Sequence, residues 1–144
     1  MRKDDPAAAV EAAMVAIRRR QSRRTLAREA GVAPSDDATQ QVLDAVEAAA
    51  EPLGVTAVAA ALDVDQPRAS KLVAAAVDAG LLRRVADQDD GRRSHLALTP
   101  SGRERLDAVH SARQARFGAA MADWTAAERE TFAALLTRFV TALG

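Results

Sequence analysis

The sequence predicts a mainly α fold that carries one small β-hairpin. Apolar residues make up 49% of the 144 residues and aromatics only 3%. The core must then be alanine-rich and aliphatic, which favours close-packed helices over a β-sandwich. Helix-start signals recur: Asp5-Pro6, Asp65 with Pro67, Thr99-Pro100 and the capping box Thr125-Ala-Ala-Glu128. One stretch, residues 81–98, instead reads as two short apolar-alternating strands around a charged loop.

Composition narrows the function classes. The length fits one domain. There is no cysteine, which excludes disulfides, thiolate metal sites and thiol redox sensing. No apolar run approaches the ~18 residues a membrane span needs, and the charged N-terminus lacks a signal-peptide core. A cytoplasmic protein with no membrane partner is expected. His95 and His110 are the only histidines and fall in different elements, so no metal site is expected. Paired catalytic carboxylates, a nucleophile elbow and a phosphate-cradling loop are all missing, so neither enzymatic activity nor a cofactor is expected. Net charge is zero, but six arginines and no acid lie between Arg18 and Arg28. That run is either a solvated helix face or a contact to a DNA backbone.

Each element follows from local signals. Asp5 caps a long helix from Pro6 to about Ala30, ended by Gly31. A loop with Pro34 follows. A second helix covers about Ala38 to Ala50, with Val42, Leu43 and Val46 on its apolar face, and Glu51-Pro52-Leu53-Gly54 breaks it. Thr56 is the expected cap of a short third helix through Leu62. After a turn at Asp63-Val64, Asp65 caps a fourth helix that buries Ala69, Leu72, Val73 and Ala76. This helix ends at Ala79-Gly80, where glycine suits a left-handed position. Leu81–Val85 and Ser94–Leu98 are the antiparallel strands. A fifth helix runs from Pro100 to about Met121. A sixth begins after Thr125 and aligns Phe132, Leu135, Leu136, Phe139 and Leu143.

Helix, helix, turn, helix, strand, charged loop, strand is the order of a winged helix-turn-helix. Such a unit holds the tip of its second short helix in a major groove and its hairpin beside it. With the apolar face of the fourth helix inward, Gln66, Arg68, Ser70 and Lys71 point outward at its N-terminal end. In the hairpin loop, Asp87 and Asp90 can pair with arginines and hold one loop shape. Gly91 permits a tight turn. Arg92 or Arg93 is then left to enter a minor groove.

The segment VTAVAAALDVDQPRASKLVAAAVDAGLLRRV, followed by Asp87-x-x-Asp90-x-Arg92, Leu98-Thr99 and Gly102, resembles the MarR family of transcriptional regulators. The likeness is strong over residues 38–106 and architectural elsewhere. Asp89 stands where that family carries a tip arginine, which moves the tip role to Arg92 or Arg93. Asp63 stands where glycine is frequent, an exchange that left-handed aspartate tolerates.

The resemblance implies a winged helix-turn-helix domain, residues 38–99, flanked by dimerisation helices in residues 1–37 and 100–144. It implies a homodimer on a pseudo-palindromic operator in double-stranded DNA, acting as a repressor, with a small-molecule effector. The neutral charge and Asp89 leave open a winged-helix module that binds proteins and not DNA.

Overall fold

The computed structural model of the chain describes residues 5–22 and 37–144. Six helices and one hairpin lie among these residues: α1 (Pro6–Ser22), α2 (Asp37–Ala48), α3 (Val55–Leu62), α4 (Gln66–Asp78), β1 (Leu82–Ala86), β2 (Ser94–Leu98), α5 (Pro100–Ala120) and α6 (Ala126–Leu143). The mainly α fold with a small hairpin wing is the one the sequence predicts. The chain divides into two compact units, Met1–His110 and Ser111–Gly144. Of the helix expected over Pro6–Ala30, the part beyond Ser22 lies outside the described residues.

In the first unit, Val42 and Leu43 of α2, Val58 of α3, Val73 of α4, Leu82 of β1 and Leu106 of α5 are fully buried. They belong to one cluster that also takes in Ala69, Leu72, Ala76 and Leu96. The cluster holds no aromatic side chain, as the composition requires. Each helix starts and stops for a local reason. The Asp5 carboxylate accepts from the Ala7 amide at 3.0 Å. α3 begins one residue earlier than its expected cap. Gly54 precedes it in extended conformation, φ −89° and ψ 178°, with no side-chain cap, and Thr56 falls inside the first turn. The Gly54 carbonyl already accepts from Val58 N, so the extended glycine supplies the entry that a threonine cap would have given.

The turn between α3 and α4 rests on Asp63, the one non-glycine residue with positive φ among those described (54°). Val64 N donates to Ala59 O across it at 3.0 Å, which satisfies a terminal carbonyl of α3. The aspartate takes the left-handed angles a glycine would, as expected. At the end of α4, Gly80 has φ +76°. Gly80 N donates to Val77 O and Leu81 N to Ala76 O, closing the helix and turning the chain into β1.

β1 and β2 pair antiparallel, with Leu82 opposite Leu98, Arg84 opposite Leu96 and Ala86 opposite Ser94. β1 is displaced one residue from its expected span. Leu96 is buried, Leu98 packs against the core, and Leu96 N donates to Leu53 O at 2.8 Å. The segment before α3 therefore props the hairpin on the side away from β1.

α5 is seated on the start of the hairpin. Thr99 N donates to Leu81 O. The Thr99 hydroxyl donates to Gly80 O and accepts from Gly102 N. The end of α4, the start of β1 and the first turn of α5 thus share one node. A second tie joins α5 to α2: the Glu47 carboxylate accepts from Arg103 at 2.7 Å and lies 2.6 Å from His110 Nε2. Beside it, Gln40, nearly fully buried, donates to Asp44 and accepts from Arg105 Nε.

In the second unit, Thr125 and Glu128 form the expected reciprocal capping box of α6. Arg129 donates to the carbonyls of Met121 and Ala122, tying α6 to the turn that follows α5. Trp124 and Phe132 meet edge to face, centroids 5.1 Å apart. α6 buries no residue. Phe132, Leu135, Leu136, Val140 and Leu143 are all exposed, as are Val10 and Ile17 of α1. Among the described residues no helix is long and apolar enough to cross a membrane.

Candidate nucleic-acid interface

The candidate interface is built on α4. The Asp65 carboxylate accepts from Arg68 N at 2.8 Å, and Pro67 sits in the first turn. Both features start the helix abruptly, so its first two turns stand clear. Ala69, Leu72, Val73 and Ala76 are its buried residues, the face that the sequence pattern picks out. Gln66, Arg68, Ser70 and Lys71 are all exposed. One helix end therefore presents an amide, a guanidinium, a hydroxyl and an ammonium. These are the groups that read base edges and phosphates in a major groove.

The wing is ordered by its own aspartates. Asp87 Oδ1 accepts from Asp89 N at 2.9 Å, and Asp90 Oδ1 accepts from Arg92 N at 3.1 Å. Asp87 N donates to Arg93 O, and Arg93 N to Asp90 O. Acid–arginine pairing occurs once in the loop, between Asp90 and Arg93, at 3.8 Å with both side chains solvated. Asp87 holds backbone where an arginine partner was expected. A short side chain reaches an amide two residues on more readily than it reaches a long, mobile guanidinium. Gly91 has no positive φ, and a side chain there would meet open space, so the turn does not require glycine. Asp89 is exposed, and its amide is what Asp87 captures. Arg92 is exposed and makes no ion pair with any described residue.

β1 adds two exposed arginines that the sequence reading does not single out, Arg83 and Arg84. The period of a strand would have separated them, since Leu82 inward places Arg84 on the same face and Arg83 on the other. Arg18, Arg19 and Arg20 lie in the last turns of α1 and are exposed; Arg23, Arg24 and Arg28 lie outside the described residues.

Behind this surface, the Glu47 carboxyl has a displaced pKa. Partial burial pushes its carboxyl up. The hydrogen bonds and charges of His110 and Arg103 push it down and win, holding it below the ordinary carboxylate value. An open groove of about 600 Å³ lies between α2 and α3, walled by Ala45, Ala48, Ala49, Leu53, Ala61 and Leu62, with Gln41 and Asp44 as its polar members.

Residues 37–93, the span from α2 through the wing loop, match the model of the MarR family. No curated protein sequence matches the chain. Several solved structures are similar over nearly its whole length. A Pseudomonas aeruginosa PA01 protein described as a transcriptional regulator is 26% identical, covers 94% of this chain and 97% of its own, and has a TM-score of 0.70. The PcaV transcriptional regulator of Streptomyces coelicolor, solved with its natural ligand, is 25% identical over all of both chains, with a TM-score of 0.62. MepR of S. aureus, solved as a DNA complex, is 22% identical, covers 91% of this chain and 96% of its own, with a TM-score of 0.62, a likeness of fold. The likeness to the MarR family is thus carried by residues 37–93, the span of the helix-turn-helix and the wing.

Proposed function

We propose that the protein is a homodimeric, DNA-binding transcriptional regulator. It represses from a pseudo-palindromic operator and responds to a small-molecule effector. The observation that carries this reading is the division of α4, whose buried face is wholly apolar and whose exposed N-terminal turns carry Gln66, Arg68, Ser70 and Lys71. These four read the major groove. Arg92 and Arg93, on a loop shaped by Asp87 and Asp90, enter the adjacent minor groove, where a narrow groove concentrates negative potential.

The segments 1–37 and 100–144 are the dimerisation helices on this reading. Support comes from the apolar side chains left exposed on them, Val10 and Ile17 on one and Phe132 to Leu143 on the other. A two-fold axis would then set two copies of α4 one duplex turn apart. The solved MepR–DNA complex and the ligand-bound PcaV make duplex binding and effector control the natural first tests.

Genomic fragments retained by the purified protein would supply the operator, and binding is then read by fluorescence anisotropy against salt. Replacing Arg92 and Arg93 together by alanine should weaken binding to all sequences and lower the salt slope by up to ~2. An unchanged slope removes the wing from the interface. A wild-type protein that ignores every duplex in dilute buffer removes the reading altogether.

A further inference from the structure

The inference rests on the duplex-binding reading and adds a residue to it. A protein that places a helix tip in a major groove and a loop in the next minor groove must straddle the phosphate strand that separates them. Whatever cation lies between the two prongs, on the side they share, meets that strand.

β1 leads from the end of α4 to the wing loop, so it spans the gap between the prongs. Its two arginines differ in face. Arg84 lies directly opposite Leu96 and two residues after Leu82. Opposed residues share a face of the hairpin, and so do residues two apart on a strand. Leu82 and Leu96 are buried in one cluster with Leu72, Val73 and Ala76 of α4. Arg84 therefore stands on the α4 side of the hairpin. It is exposed where its same-face neighbours are buried, and it forms no ion pair with any described residue. Arg83 lies opposite Ala97 on the other face.

We propose that Arg84 is a phosphate-binding residue that grips the backbone strand between the two grooves, fixing the spacing of α4 and the wing on the duplex, whereas Arg83 takes no part. The two arginines are adjacent, alike in charge and both solvated, so each is the other's control. Long-range attraction would treat them equally; a direct contact does not.

The test measures the affinity of the full chain for its selected operator between about 50 and 200 mM salt. The variants are Arg84→Gln, Arg84→Lys and Arg83→Gln, each checked for an unchanged melting temperature. Arg84→Gln should lower the salt slope by ~0.9 per bound chain, so its deficit shrinks about 3.5-fold across that range. It should do so equally on operator and random duplex, because phosphates carry no sequence. Arg84→Lys should keep the slope, and Arg83→Gln should match the wild type. An Arg84→Gln slope equal to wild type, or an equal fall for Arg83→Gln, overturns the assignment while leaving duplex binding intact. Failure of the wild type to bind any duplex overturns the underlying reading instead.

Discussion

The node at Gly102 makes the sharpest prediction. A Cβ at this position would sit 2.1 Å from Leu81 O, 3.0 Å from Leu81 C and 3.2 Å from Leu98 Cδ2. The first two atoms are backbone and cannot swing aside, so Gly102→Ala must lift α5 off the start of β1 by about an ångström. Overpacking of this kind costs roughly 1–3 kcal/mol. Lifting the helix also stretches the hydrogen bonds from Thr99 to Leu81 O and Gly80 O, at about 1 kcal/mol each. Alanine returns about 0.5–1 kcal/mol through helix propensity. The net loss is about 3 kcal/mol, a fall in Tm on the order of 10 °C for a chain of this length. Thermal unfolding followed by circular dichroism at 222 nm measures it. Gly91→Ala is the internal control: with ordinary φ and open space around it, it should stay within about 0.5 kcal/mol of wild type. A Gly102→Ala protein that melts within 2 °C of wild type would refute the claim that this close approach fixes α5.

Asp65→Ala removes the cap of α4 and should cost about 1 kcal/mol, read as a lower urea midpoint with unchanged m-value. Glu47 has a folded pKa below its unfolded value, so its contribution to stability is complete above the unfolded value and is lost as pH falls through the folded one. Below about pH 4.5, urea midpoints of Glu47→Gln should therefore fall less steeply with acid than those of wild type; parallel curves would deny the tie to Arg103 and His110. Leu136→Glu places a charge on the exposed face of α6 and should convert the proposed dimer to monomer in sedimentation, with helicity at 222 nm retained. A wild-type-like sedimentation coefficient would place the interface elsewhere.

Local chemistry alone determined a good deal of this molecule. Asp65 and the capping box at Thr125 act within three residues, so the chain specifies them wherever it folds. The inward face of α4 follows from a 3.6-residue period, and the polar tip follows by subtraction. Gly80 and Asp63 announce left-handed turns because few other residues accept that backbone. What tertiary structure decided are the pairings between residues far apart in sequence. Glu47 meets Arg103 and His110, Leu96 meets the Leu53 carbonyl, and Gly102 lies against Leu81 O only once the helices have packed. The wing lies between these cases. Its acids were legible as loop-shapers, but whether each one takes an arginine or an amide depends on distances that no periodicity encodes. Strand period alone puts Arg83 and Arg84 on opposite faces, but that the Arg84 face is the α4 side follows only from its pairing with the buried Leu96.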